Sequence, residues 1–520
     1  MPATLPFQPP SDLVAGESRP IAGDGIRSTN PASPSDVLYA FDPNLGHVDD
    51  AVEAAADAGK TWSAWPFERR AGVLKRYAAL CGEHKDAIAD LICDETGKAY
   101  WDSAAEAGIL SGKVAITLDG SEHAGLRRVQ PYAFDLTDTR VGRCEYRPHG
   151  VLAVIGPYNF PAHLPNGHIV PALATGNTVV LKPSEKTPAV GQALIELLQR
   201  ALNEADAPPG VVNLVQGGAE TAVKLTTHPG IDGILFTGSW PVGRKILENN
   251  LDHPGRIVAL EMGGNNPAVV MPDANPRQAA IEVARAAFIT TGQRCTCTRR
   301  LIVHEAIADT FIETVAAIAR DLRVGHPRSE DPVFMGPIVS EQARDAVLAF
   351  QERLLAGGGR SILESRAGDL PPDGVDGYYV TPGIVEVEAF NTGEGDDAGC
   401  DLEVFGPLLR ITRVGSFEEA IAQANETRFG LAASLFSTDP SDQQRFLREA
   451  RAGCVNINTG TAGASSKLPF GGLGLSGNHR PAGSLSLDYT AFPVASMVET
   501  STDAAVPKGM RIDESRWSGR

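Results

Sequence analysis

Cysteine is scarce in this chain, positive charge is outnumbered, and no apolar run is long. The seven cysteines (Cys81, Cys93, Cys144, Cys295, Cys297, Cys400 and Cys454) are an odd number at low density in 520 residues. Their spacings outline no disulfide framework, so a reducing, cytoplasmic setting is expected. Cys295-Thr-Cys297 has no second Cys/His pair at a spacing that would complete a metal site, and no metal is expected; packing or a regulatory disulfide is the reading for Cys297. The 46 Lys and Arg against 64 Asp and Glu give a net charge of −18, which argues against a nucleic-acid or anionic-membrane partner. No stretch approaches the roughly 18 apolar residues that span a bilayer. The first 30 residues are Pro-rich and polar, without a basic start and an apolar core, so no signal peptide is expected. No internal repeat is visible.

What the chain does have is length, glycine and proline. At about 100–200 residues per domain the length suggests two to four domains, with a core large enough to need no disulfide or metal. The 54 Gly and 37 Pro favour many tight turns between elements. Residues 1–45 read as a loose arm with short turns. Helical periodicity covers 48–63, 69–95 and 100–118. Over 128–150 the period is lost and weak alternation fits a hairpin. After residue 150 come "VLAVIGP", "NTVVLKP", "VVNLVQG", "GILFTGS" and "RIVALEMGG". Each ends in Gly or Pro and helices lie between most of them, which is the pattern of βαβ units and a parallel sheet. A second α/β stretch spans 267–466, with helices at 274–290, 305–323 and 416–426 and strands near 299–304 and 406–413. Residues 386–402 are acidic and read as an exposed loop. The last 20 residues read as a polar tail.

Open α/β sheets bind ligands at the carboxyl ends of their strands, and the unusual residues of this chain sit there. In "TTGQRCTCTRR" (290–300), Cys295 follows a Gly-Gln turn. Arg294, Arg299 and Arg300 beside it would favour a thiolate, although an isolated cysteine is more often an inert buried one. In "LEMGGNNP" (260–267), Glu261 ends an apolar strand as a candidate general base; a surface or capping glutamate is the plainer reading. In "GPYNFPAHLPNGHIVPAL" (156–173), Asn159 sits in a rigid turn between two prolines. Such a turn can aim an amide N–H at an oxyanion, or the side chain can simply serve its own turn. In "LKPSEKTP" (181–188), Lys182 and Glu185 can bind ribose hydroxyls, or form a solvated strand end with Ser184 as a helix cap. "FTGSWPVGRK" (236–245) is a strand, a glycine turn and a helix start that suits phosphate, but it lacks the Lys-Ser/Thr of a P-loop. "GLGLSG" (472–477) fits G-x-G-x-x-G without βαβ context and reads as a flexible loop.

One at a time these motifs are ambiguous; in succession they are specific. "GPYNFP", "LKPSE", "FTGS", "LEMGGNNP", "GQRC", "EVFGPLL" and "PFGGLGLSG", in that order, resemble the aldehyde dehydrogenase superfamily over about residues 40–495. The 34-residue separation of Glu261 and Cys295 also fits. The resemblance implies a Rossmann-like NAD-binding domain (1–127 and 151–260) and an α/β catalytic domain (261–466). It also implies a small β oligomerisation arm (128–150 and 484–497), a polar tail (498–520), and a homodimer or homotetramer. It makes Cys295 the nucleophile, Asn159 with the Cys295 N–H the oxyanion site, and Glu261 the base for water. For NAD it implies Pro157, Tyr158, Lys182, Ser184, Glu185, Gly217, Gly218, Phe236, Thr237, Gly238, Ser239, Val242, Met262, Gly263, Glu403 and Phe405. Glu185 would repel a 2′-phosphate, which favours NAD over NADP.

Within the superfamily, "RPHGVLAVIGPYNFPAHLPNGHIVPAL", "GQRCTCTRRL" and "SGNHRP" are similar to the group that oxidises N-succinylglutamate 5-semialdehyde in arginine catabolism. That substrate carries two carboxylates. The resemblance implies His163, Arg294, Thr296 and Phe470 as substrate contacts, with His168 and Arg480 as further basic candidates. Residues 456–470 depart from the group in lacking a bulkier Trp, which leaves other semialdehydes open. A CoA-acylating enzyme and a catalytically silent scaffold are the remaining alternatives; Glu261 argues against the first, and Asn159, Glu261 and Cys295 together argue against the second.

Overall fold

The five apolar runs after residue 150 each form a strand: Val151–Ile155, Thr178–Lys182, Val212–Leu214, Gly233–Gly238 and Ile257–Met262. They are parallel and almost wholly buried on both faces, which is why they read as continuous rather than alternating runs. The computed structural model describes residues 9–122, 124–368 and 377–517. Helices His163–Ala174, Pro188–Glu204, Ala219–Thr227 and Trp240–Asn249 connect the strands. The chain runs outward from Val151–Ile155 through Thr178–Lys182 to Val212–Leu214. It then returns to lay Gly233–Gly238 on the other side of the first strand. The sheet therefore has a topological switch point between Val151–Ile155 and Gly233–Gly238, where a ligand crevice opens.

A second seven-stranded sheet runs in the spatial order Arg360–Leu363, Gly383–Glu386, Leu408–Val414, Thr298–His304, Asn266–Val270, Ala432–Phe436, Cys454–Ile457. All but the first strand are parallel. Helices Pro276–Phe288 and Glu305–Asp321 bury an alanine- and phenylalanine-rich face against it. An expected domain junction at 260/261 falls inside strand Ile257–Met262; the chain leaves the first sheet only at Met262.

Several expectations need correction. Of the expected loose arm 1–45, residues 1–8 lie outside the described residues, and 9–45 contain strands Ser11–Val14, Glu17–Pro20, Ile26–Asn30 and Ser33–Phe41. The first pair extends the first sheet antiparallel, Leu13 lying opposite Leu214. Four residues are too few to display a period, and two of these, Ser11 and Asp12, are polar but buried. The Ser11 N–H donates to Gln192, and Asp12 accepts from the Gln216 N–H. The helical stretch at 69–95 is two helices broken at His84, and that at 100–118 is two broken at Ile109. The apolar stripe continues across both breaks, so periodicity alone reads through them. In the acidic stretch 386–402 only residues 392–397 are continuously exposed. Val387, Phe390, Ala398 and Cys400 join the core, and buried Asp401 accepts from Asn265, Thr427 and the Arg428 N–H. "GLGLSG" is not a free loop: Ser476 is buried, its hydroxyl accepts from the Gly430 N–H, and Gly477 bridges to Glu261.

A third sheet pairs Tyr132–Asp135, Arg140–Pro148 and Ala491–Glu499. The last strand starts at Ala491 and reaches Glu499, so the polar tail begins later than residue 498. All seven cysteines are unpaired. Among the described residues no helix is long and apolar enough to cross a membrane.

Asn177 ties this third sheet to the first. Its carbonyl accepts from the His149 and Gly150 N–H groups, and its amide donates to Ala172 O and Thr490 O. Asn177→Ala leaves these buried groups unpaired and should cost about 3 kcal/mol, read as a lower urea midpoint at unchanged slope. An unchanged midpoint would contradict the assignment.

Candidate active site

The two large sheets are joined by a very short segment. Glu261 lies near the end of the first sheet's last parallel strand, and Asn266 opens a strand of the second sheet. Between them stand Gly263 and Gly264. A Cβ on Gly263 would lie 1.8 Å from the Glu403 carboxylate, and one on Gly264 2.4 Å from Asn266 Oδ1. A side chain at either position would force Glu403 or Asn266 to shift. Glu403 accepts the Gly264 N–H at 3.0 Å.

Asn266 then holds the loop that carries Cys295. Its amide donates to the carbonyls of Cys295 (2.7 Å) and Cys297 (2.8 Å), and its own carbonyl accepts from the Ala432 N–H at 2.9 Å. Upstream, Thr290, Thr291 and Gly292 all have left-handed backbone, with φ of 56°, 55° and 70°. Such a run in non-glycine residues persists only where surroundings compel it. The Thr290 hydroxyl donates to Asp102 (2.6 Å), the Thr291 hydroxyl donates to Gly336 O (2.8 Å), and Arg294 bridges Thr290 and Asp102 at 2.7 Å each. A Cβ on Gly292 would meet Gly406 O at 2.1 Å. Asn159 reaches the same loop: its amide donates to Gln293 O at 2.9 Å, leaving its second N–H free to donate.

Cys295 and Glu261 line one cavity of about 210 Å³. His163, Arg294, Thr296 and Phe470, the four expected substrate contacts, line it too, with Lys113, Ile109, Phe160, His168 and Thr237. The electrostatics differ from the sequence expectation. Burial raises the Cys295 thiol, and Glu403 and Glu261 raise it further. The arginines do not activate it. Arg294 is paired with Asp102, Arg299 donates to Gly406 O and Arg294 O, and Arg300 donates to the carbonyls of Asn265, Gln423, Ala424 and Glu426. Arg299 and Arg294 pull instead on buried Cys297, which packs with Ala286, Ile289 and Ala462. Glu261 is also raised well above the usual carboxylate range by burial. One oxygen accepts the Ala482 N–H at 3.3 Å and the other has no partner.

Nor are the imidazoles cationic. Burial and Lys113, with Lys98, push His163 down to about 4; burial and Lys113 push His168 to about 3. His168 is spent on Tyr489 (2.9 Å) and Thr237 (3.1 Å). Arg480 faces another cleft, with His149, Arg256 and Asp488. Sequence reasoning missed Lys113, Asp102 and Asn266. Lys113 was legible as a lysine inside the apolar stripe of Leu110–Thr117, where Leu110 and Val114 are buried. Asp102 and Asn266 act through contacts 188 and 29 or more residues away and left no local sign.

The residues expected to hold a dinucleotide lie on the other side, along the carboxyl edge of the first sheet. Pro157 and Tyr158 follow its central strand, and the Tyr158 ring meets Phe405 edge-on at 6.2 Å. Lys182 is buried, donates to Pro183 O at 2.8 Å and lies 3.7 Å from Glu185. The Ser184 hydroxyl accepts from the Lys186 N–H. Gly217 and Gly218 precede helix Ala219–Thr227, and Gly238 and Ser239 precede helix Trp240–Asn249. Neither helix has a side-chain cap, so first-turn N–H groups are unspent. Val242 is exposed on the second of these helices. Three side chains are placed differently from expectation. Phe236 and Met262 are packed in the core, and Thr237 faces the Cys295 cavity.

These features define an oxidoreductase of one family. Residues 20–492 match the aldehyde dehydrogenase family model, and the chain belongs to that family. It is 43% identical over 490 residues to the N-succinylglutamate 5-semialdehyde dehydrogenase of Sphingopyxis alaskensis, covering 92% of this chain and 98% of that protein. It is 44% identical over 493 residues to N-succinylglutamate 5-semialdehyde dehydrogenase 2 of Caulobacter vibrioides, covering 93% and 95%. Among solved structures, HpcC from Thermus thermophilus superposes with a TM-score of 0.88 at 31% identity, covering 97% of this chain and 95% of that one. The resemblance read from the motifs holds, and so does the α/β aldehyde dehydrogenase fold.

If Asn266 sets the position of Cys295, Asn266→Ala should lower kcat/KM about 100-fold, the scale of an ångström misplacement. Dinucleotide affinity, read by fluorescence titration, should hold. Unchanged kcat/KM would remove Asn266 from this role.

Proposed function

We propose that this protein oxidises N-succinyl-L-glutamate 5-semialdehyde to N-succinylglutamate, with NAD as the cofactor and a Cys295 thioester as the intermediate. The observation that carries the reading is the sharing of one cavity by Cys295, Glu261 and Lys113, the last a cation for an acidic substrate. The names of the two relatives support the substrate.

The chemistry follows from these groups. The Cys295 sulfur, as thiolate, adds to the aldehyde carbon, and the carbonyl electron pair moves to oxygen. The free Asn159 N–H and the Cys295 backbone N–H can stabilise that oxyanion, each donor being worth about 3 kcal/mol in comparable sites. A bound nicotinamide supplies acceptance of the hydride from that carbon, which leaves the acyl group on sulfur as a thioester. Glu261, whose second oxygen is unpartnered, takes a proton from water. The resulting hydroxide attacks the thioester carbonyl, the C–S bond breaks, and the acid leaves with the thiolate restored. Because burial raises Glu261, this hydrolytic step should speed up with rising pH, as the carboxyl loses its proton.

The donor set along the first sheet fits a dinucleotide. Lys182 and Glu185 suit ribose hydroxyls, and the two uncapped helix starts suit a pyrophosphate. Glu403 and Phe405, beside the Gly263–Gly264 crossing and Tyr158, suit the nicotinamide riboside. Glu185 disfavours a 2′-phosphate, hence NAD over NADP. The first sheet with its helices would form the dinucleotide unit and the second the catalytic one. Ala491–Glu499 is a nine-residue edge strand exposing Phe492, Met497 and Val498, which supports a homodimer or homotetramer.

A steady-state screen tests this. Purified protein, NAD and a panel of semialdehydes should give the highest kcat/KM with the succinylated compound, without CoA, and a clear loss with NADP. A neutral or unrelated aldehyde at the head of the panel would overturn the substrate assignment.

A further inference from the structure

Two cations line the Cys295 cavity, Arg294 and Lys113, and Lys98 lies behind its wall over the Phe160 ring. Lys98 pairs with Glu106 at 2.5 Å and Arg294 with Asp102 at 2.7 Å. Lys113 is different. The residue is 3% exposed, it lines the cavity, and among the described residues it makes no salt bridge. Its only acceptors are neutral: Gly483 O at 2.8 Å and Ser486 Oγ at 3.1 Å. An ammonium has three donors, so one N–H is left over.

The surroundings hold this lysine in place rather than neutralise it. Gly483 sits in left-handed backbone at φ 67°, and a Cβ there would meet Leu468 O at 2.2 Å. That turn presents its carbonyl to Lys113. Ser486 is fully buried and its hydroxyl donates back to Gly483 O at 2.9 Å, which turns its lone pairs to the ammonium. Across the cavity, Gly167 has nothing within 4 Å of where a Cβ would be, so space is kept open on helix His163–Ala174. The rest of the lining combines apolar Ile109, Leu164 and Phe470 with the uncharged Ser465 and Ser466. A buried charge without a counter-charge is costly unless a ligand supplies one.

We infer that Lys113 is the specificity-determining residue of this enzyme: it pairs with a carboxylate of the aldehyde substrate and selects acidic semialdehydes over neutral aldehydes. The inference rests on the substrate reading above but does not need the succinyl group; any aldehyde with a carboxylate in reach of Nζ qualifies. Of the basic residues that the sequence suggests for this task, His163 and His168 are neutral, Arg294 is already paired, and Arg480 lines another cleft.

The test is steady-state kinetics of the wild type, K113Q and K113R. The substrates are N-succinylglutamate 5-semialdehyde, shorter carboxylated semialdehydes, and neutral aldehydes such as butanal and hexanal. K113Q keeps donors for Gly483 and Ser486 but not the charge. A charged hydrogen bond of ordinary strength predicts that KM for carboxylated aldehydes rises about 10- to 100-fold, with kcat changed less than about threefold. For neutral aldehydes KM should rise no more than about threefold, and K113R should recover part of the loss. Equal losses on both substrate classes, or no loss on either, would overturn the inference. If K113Q does not fold, acetylation of Lys113 in the native wild type is followed by mass spectrometry. Protection by N-succinylglutamate but not by hexanol supports the pairing; lack of protection overturns it. The two readings fail separately. A wild type that ignores the succinylated compound but favours another carboxylated aldehyde through Lys113 would sink only the proposed substrate. A wild type that uses the succinylated compound with no dependence on Lys113 would sink only this inference.

Discussion

The carboxamide of Asn266 is the contact on which the catalytic arrangement depends. It grips the carbonyls on either side of Thr296, so the backbone of Cys295 is fixed from below. The same residue begins a strand of the second sheet, five positions after Glu261 near the end of the first. Candidate nucleophile and candidate base are thus referenced to one short crossing. Gly263 and Gly264 make the crossing possible, because any side chain there would collide with Glu403 or Asn266. The left-handed run Thr290–Gly292 and its ties to Asp102 and Gly336 complete the clamp from the other side. Strain of this kind is held by the packing around it.

Within the clamp the cavity is electrically quiet. Burial raises Cys295 and Glu261 and lowers His163 and His168, so each is biased to its neutral form. A buried site whose groups rest neutral makes each charge that enters it count for more. The exception is Lys113, pulled by burial down to about 8 and therefore still mostly protonated at neutral pH. Arg294 is paired with Asp102 and Lys98 with Glu106, which leaves Lys113 as the unpaired cation of the lining.

Much of this was legible in the sequence. The parallel strands announced themselves because they are buried on both faces and punctuated by Gly or Pro. The chemically active positions stood at strand ends in a recognisable order. What was hidden has a common cause. Asp102 and Asn266 act across large separations in sequence, so no local pattern flags them, and Lys113 showed only as a lysine inside an apolar stripe. The strands Ser11–Val14 and Glu17–Pro20 were too short to show a period, and the buried polar residues Ser11 and Asp12 look like loop. The arginines near Cys295 were misread because a charge in sequence is only a charge at the site if nothing else claims it. Here Asp102 and backbone carbonyls do. Phe236 and Met262 lie at the right strand ends, yet their side chains turn to the core, since neighbouring residues on a strand face opposite ways.

The division of labour between sulfur and carboxylate is most directly tested by trapping the acyl enzyme. E261Q is mixed with the aldehyde and NAD, quenched, and mapped by mass spectrometry while reduced dinucleotide is followed by absorbance. The account predicts a burst of about one equivalent per site, slow turnover afterwards, and the acyl mass on the peptide containing Cys295. Full-speed turnover by E261Q, or a burst with Cys295 unmodified, would contradict it.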